Sequence, residues 1–174
     1  VLLKYPDGPD APKETKVSFS VVHRPSSVVK LGVLGAGLYA NATLLPVIKN
    51  NKDFELIGIA SSGGLHAQHS GKKFGFQYAT SSDDEILNDP NINTVAILTR
   101  HDSHADLVIK ALKSGKNVFV EKPLAVTSAQ LSVISKQLRK ENSGLLTVGF
   151  NRRFAPLAQN LQSQISNLQE PKYI

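Results

Sequence analysis

The chain has 174 residues, 41% hydrophobic and 20% charged, which suits one globular domain with a sizeable core and does not support two full domains. Its net charge is +6, but the densest basic run, Arg152-Arg153, is two residues long, which argues against the concentrated positive face that nucleic-acid binding by counterion release requires. No cysteine is present, so disulfides, thiolate metal sites and thiol chemistry are excluded.

No apolar stretch approaches the roughly 20 residues that span a bilayer, and the first residues lack the charged-then-apolar order of a signal peptide. The default location is cytoplasmic. The absence of methionine leads us to expect a piece of a longer polypeptide whose ends are cuts.

Residues 1–28 hold four of the nine prolines and no sustained helical period, and they read as a linker or the tail of a preceding region. From Val29 a regular alternation begins. Apolar runs at 28–35, 54–61, 94–99, 117–121 and 145–150 predict strands covered on both faces. Helical segments lie between them. Ser82-Asp83-Asp84-Glu85 and Thr127-Ser128-Ala129-Gln130 both have capping-box spacing. The helix after Ser103 places Leu107, Val108, Ala111 and Leu112 on one face and is expected to end at Gly115. The alternation predicts an α/β fold with a doubly wound parallel sheet.

The first strand runs into Gly35-Ala36-Gly37-Leu38-Tyr39-Ala40, a G-x-G-x-x-A turn. The first glycine permits a tight turn, the second lets backbone approach a pyrophosphate, and the small final residue lets helix and strand pack closely. The helix N-terminus beyond offers free N–H groups to phosphates. A tight turn with no ligand is the competing reading. Tyr39 covers the turn, and Pro46 is expected to kink the helix. At the end of the second strand, where an acid usually accepts from the NAD ribose, stand Ser61 and Ser62. Without a carboxylate there, NAD or NADP is admissible and the expectation tilts slightly to NADP, with Lys72 or Lys73 as aids.

Polar residues follow the other strands: Thr99-Arg100-His101, Glu121-Lys122-Pro123, and Asn151-Arg152-Arg153-Phe154. In an open parallel sheet ligands bind beyond the carboxyl ends of the strands, so these clusters are expected on one edge. His101 with His104, and His66 with His69, have ligand-like spacing, but no acid or third histidine completes a metal site, and none is expected. His66 and His69 read as part of a solvated Gly- and Ser-rich segment. Arg152 and Arg153 fit a surface role and a binding role equally.

Taken together, KLGVLGAGLYA, NINTVAILTRHDSHADLVIKAL, GKNVFVEKPLAVT and GFNRRFAP resemble the Gfo/Idh/MocA proteins, the glucose-fructose oxidoreductase and inositol dehydrogenase family, over about residues 29–156. Glu-Lys-Pro closing the fifth Rossmann strand is the specific mark. The resemblance implies a two-domain NAD(P)-dependent oxidoreductase of sugars, cyclitols and related compounds, with a Rossmann domain at 29–154 and the start of a truncated second domain at 155–174. It places Gly35, Gly37 and Ala40 at the pyrophosphate and Ser61 near the adenosine ribose, with Thr99, His101 and His104 lining the pocket. Glu121 falls near the nicotinamide ribose, and Lys122 reaches the substrate hydroxyl. Ala36, Leu38, Tyr39, Ser62, Arg100, Asn151 and Arg152 complete the expected cofactor-binding set. The departure TRHDSHA, with GFNRRFAP, is more similar to bi-domain oxidoreductases with a zinc alcohol dehydrogenase-like half ahead of this module. The family's usual Asp-x-x-x-His pair is absent from these residues, so the chain resembles the cofactor half of an enzyme. The expected partner is a sugar- or polyol-like small molecule, with any homo-oligomer formed through the missing domain. A non-catalytic NAD(P)-binding sensor or assembly module, and an S-adenosylmethionine methyltransferase, are the competing classes.

Overall fold

The computed structural model describes residues 28–141 and 143–166. The expected linker, apart from Val28, lies outside these residues, as do 167–174 of the expected second-domain start.

Six strands form the sheet: β1 (Val29–Leu34), β2 (Phe54–Ala60), β3 (Tyr78–Thr80), β4 (Thr94–Ile97), β5 (Asn117–Glu121) and β6 (Leu146–Gly149). Every neighbouring pair is parallel, in the order β3-β2-β1-β4-β5-β6. The order reverses between β1 and β4, which opens a crevice at their carboxyl ends. The helices are α1 (Leu45–Lys49), α2 (Gly64–Phe74), α3 (Asp83–Asn88), α4 (His104–Lys113), α5 (Ser128–Leu138) and α6 (Pro156–Ser166).

Two apolar clusters cover the two faces. One joins Leu34, Val95, Ile97, Val118 and Val120 to Ile86 of α3, Val108 and Leu112 of α4, and Ile134 of α5. The other joins Leu31, Val33, Ile59 and Ala96 to Ala40, Leu45 of α1 and Phe74 of α2. Burying these side chains supplies the main drive for the layered architecture. The predicted face of α4 is borne out: Leu107, Val108, Ala111 and Leu112 are all buried. Gly115, at φ +69°, closes that helix as its Lys116 neighbour donates N–H to the Ala111 carbonyl, the left-handed cap expected from sequence.

Several expectations are corrected. β3 escaped notice because its three residues, Tyr78-Ala79-Thr80, are half-buried at the sheet edge and carry no continuous apolar run. The Gly- and Ser-rich stretch holding His66 and His69 is the helix α2, although both histidines are exposed on it. β6 is not covered on both faces, since Thr147 is exposed on this edge strand. The capping box at Thr127 forms, with Gln130 N–H donating to Thr127 Oγ1 at 3.3 Å and Thr127 N–H to Gln130 Oε1 at 3.2 Å. The one at Ser82 does not: Ser82 caps with its backbone only, and its own N–H donates to Thr80 Oγ1 at 3.0 Å. Pro46 sits in the first turn of α1 and follows a π-helical turn, Ala40–Leu44, in which Leu45 N–H reaches back to the Ala40 carbonyl. The wide turn directly precedes the proline.

Candidate functional site

The carboxyl end of β1 turns at Gly35, whose φ is +103°. A Cβ there would lie 2.7 Å from the Leu98 carbonyl carbon and oxygen, so only glycine brings β1 this close to the end of β4. A Cβ on Gly37 would meet nothing within 4 Å, so bare backbone faces open space, and helical turns begin at residue 38. Ala40 is buried against the sheet, as its small size suggested. The turn is a cradle with free backbone amides and room for a phosphate.

A cleft of about 690 Å³ opens from this turn across the β1–β4 crevice. Gly35, Gly37, Leu38, Tyr39, Ser61, Ser62, Thr99 and Arg100 line it, so eight of the expected residues meet there. Asp83, Asp102 and Ser103 also line it and were missed by sequence reasoning. Asp83 had been absorbed into an apparent capping box, and the β3–α3 corner that carries it was unrecognised. Burial pushes the Asp83 carboxyl above its usual value, opposed by Lys110. Lys72 and Lys73 are elsewhere: they fall in the last turn of α2, the end remote from the strand carboxyl edge, so they are not placed to help at Ser61.

A second cavity, about 270 Å³, continues along the same edge between Tyr39, Thr99, His101, His104, Glu121, Lys122 and Asn151. Glu121 Oε2 accepts the Lys122 N–H at 3.2 Å, whereas Oε1 is buried without a hydrogen-bond partner. A buried carboxylate oxygen left alone is costly; this one packs against Gly149 of β6, while the Glu121 side chain borders the cavity. Tyr39 is half-buried beside it. Burial raises the Tyr39 phenol above its ordinary value; Asn151 opposes the rise and Glu121 adds to it. Lys122 is exposed, and its peptide bond to Pro123 is cis. Lys122 and Asn151 also border a 190 Å³ hollow with Arg152 and Arg153. Arg153 lies over Phe150 and Phe154, 5.7 and 5.9 Å from their centroids.

The turn after β4 is fixed by its own side chains. Ser103 Oγ donates to the Arg100 carbonyl at 2.8 Å, so the 2.7 Å contact between Thr99 and Ser103 hydroxyls has Thr99 as donor. His104 has no exposed surface. Among the described residues no cluster of three or more His, Cys, Asp or Glu could hold a metal. No helix among them is long and apolar enough to cross a membrane.

Comparison with known proteins agrees with this geometry. A family model described as an oxidoreductase family with an NAD-binding Rossmann fold matches residues 29–150. The scyllo-inositol 2-dehydrogenase (NAD(+)) of Bacillus subtilis (strain 168) is 29% identical over 137 residues, 79% of this chain and 40% of its own. The myo-inositol 2-dehydrogenase of Thermotoga maritima is 30% identical over 141 residues, 80% of this chain and 41% of its own. The biliverdin reductase of Synechocystis sp. PCC 6803, solved with biliverdin and NADP+, matches with a TM-score of 0.73 at 26% identity, over 83% of this chain and 45% of that one. The chain spans less than half the length of these relatives.

Proposed function

The chain belongs to the Gfo/Idh/MocA oxidoreductase family, and from that premise we propose that it is the cofactor-binding part of an enzyme moving hydride between a nicotinamide dinucleotide and a hydroxyl or carbonyl carbon of a cyclitol, sugar or related compound. The observation that carries this reading is the pairing of two features on one sheet edge. The Gly35–Gly37 turn leaves room for a phosphate, and the buried Glu121 Oε1 lacks a donor. A ribose hydroxyl in the cavity would donate to the Glu121 carboxylate where its side chain borders that space. Both features fit a dinucleotide lying from β2 to β5, with its adenosine end near Ser61 and Ser62.

When bound, the nicotinamide ring exchanges hydride at its C4 carbon. The chain's residues bind and orient. Backbone N–H groups of the turn hold the pyrophosphate, Tyr39 and Thr99 flank the cleft at the nicotinamide half, and Glu121 accepts from the ribose. Lys122 Nζ takes the proton from the substrate hydroxyl during oxidation and returns it during reduction. The names of the two curated relatives favour an inositol-like compound.

Ser61 presents a hydroxyl where a carboxylate would repel a 2′-phosphate, which favours NADP, while Asp83 and Asp102 approach the same cleft from other elements. Titration of the chain with NADPH, NADH and S-adenosylmethionine, followed by nicotinamide fluorescence and thermal shift, tests the reading. Saturable binding of NADPH, tighter than NADH, is expected; tighter NADH would reverse the preference, and binding of S-adenosylmethionine alone would overturn the class. In the enzyme containing this chain, Lys122→Ala should lower turnover strongly with cofactor affinity nearly intact. Unchanged turnover would remove the lysine from the mechanism.

A further inference from the structure

His104 is the first residue of α4 and its side chain is wholly buried, yet its neighbours are not apolar alone. Nδ1 lies 2.7 Å from the Pro123 carbonyl oxygen and Nε2 3.1 Å from the Thr99 carbonyl oxygen; carbonyls only accept, so the neutral ring donates to one and packs against the other. Those carbonyls belong to the chain just beyond β4 and the chain just beyond β5. One imidazole therefore bridges the two corners that flank the cavity shared by Thr99, Glu121 and Lys122. Neither corner is held to the other by the sheet at that point, because the β4–β5 register ends with Ile97 opposite Val120.

We propose that His104 is a positioning residue of the cofactor site: it sets the separation of the β4 and β5 corners and so aims Glu121 and Lys122 at the nicotinamide half of the cleft. His104 stands behind the wall of the cavity with no exposed surface, and both ring nitrogens face backbone oxygens, so it acts through Pro123 and Thr99. Ser61 follows β2, on the far side of β1 from both corners, whereas Gly35 packs against the β4 corner beside Thr99. Loss of the bridge is therefore felt most at the β5 side, where Glu121 and Lys122 stand. This inference rests on the dinucleotide reading above.

The test is a calorimetric titration of the chain with NADPH and, separately, with ADP, which carries the adenosine and diphosphate but does not extend to Glu121. His104→Phe keeps a ring and removes both nitrogens. It should weaken NADPH by about tenfold, the size of one lost internal hydrogen bond, while ADP changes by less than about twofold. His104→Gln, whose amide can still donate to one carbonyl, should recover part of the NADPH affinity. Equal weakening of both ligands, no weakening of either, or failure of both variants to fold would assign His104 to the fold alone and overturn the proposal. If the unmodified chain binds neither NADPH nor ADP, it is the cofactor reading that fails, and this is seen before any variant is made.

Discussion

The two edges of the sheet use the same kinds of polar residue for opposite ends. At the amino edge, Lys116 is buried and its Nζ donates to the Asp89 and Ile92 carbonyls, both at 2.6 Å. Tyr78 donates to Asp89 Oδ2 at 2.9 Å, Asn93 Oδ1 accepts from Lys30 N–H at 3.1 Å, and Asn117 Oδ1 accepts from Leu145 N–H at 2.9 Å. Each of these groups finds its partner inside the chain; Ser143 Oγ, buried without one next to Gly144, is the exception on this edge. At the carboxyl edge Gly37 faces open space, and Glu121 Oε1 has no partner. A polar group satisfied internally is a staple, whereas one left wanting in a residue that borders a cavity is a candidate for binding. The lesson is that partner accounting separates the two roles where residue type does not.

The largest effect that could break this contrast is expected at Lys116. Lys116→Met leaves two carbonyls without their donor and should cost about 3 kcal/mol in urea unfolding, with cofactor affinity changed little. A stable variant with lost binding would invert the assignment of the edges. Glu121→Gln should do the reverse. Unfolding stability holds or rises, because an unpaired buried carboxylate is removed, and NADPH binding weakens by about tenfold, close to 1.4 kcal/mol. A large loss of stability there would mean that Glu121 is a staple after all.

Tyr78→Phe is expected to cost about 1 kcal/mol at neutral pH. Its alkaline behaviour sharpens the comparison. Burial, with the Asp89 carboxylate adding to it, raises the Tyr78 phenol above its ordinary value of 10.0. The folded chain then keeps a proton that the unfolded chain releases above about pH 10, so this contribution is present below that pH and is lost as pH rises. The unmodified chain should lose stability above pH 10 more steeply than Tyr78→Phe. Equal slopes would deny the phenol its part in the staple. The smallest contrast concerns the helix caps: Thr127→Ala should cost about 1 kcal/mol, and Ser82→Ala close to nothing, as measured by thermal melts.

Much of this was legible in the sequence, for reasons that vary by position. The glycine turn was readable because the conformation at Gly35 and the open approach at Gly37 restrict residue choice locally. Glu121 and Lys122 were readable as residues of the cavity because charges closing an apolar strand are out of place in a core. β3 was not, since a three-residue edge strand leaves almost no period. Asp83 was misread because the Ser-x-x-Glu spacing is necessary for a capping box but does not guarantee its bonds. The bridge through His104 depends on carbonyls 5 residues before and 19 after it, and backbone acceptors leave no trace in residue identity.

The most direct test of the central claim is amide chemical-shift mapping of the 15N-labelled chain during NADPH titration. The account predicts perturbations confined to the carboxyl edge, at Gly35, Gly37, Ser61, Thr99 and Glu121, with Asn93 and Lys116 silent. Perturbations centred on the amino edge, or none at saturating NADPH, would contradict it.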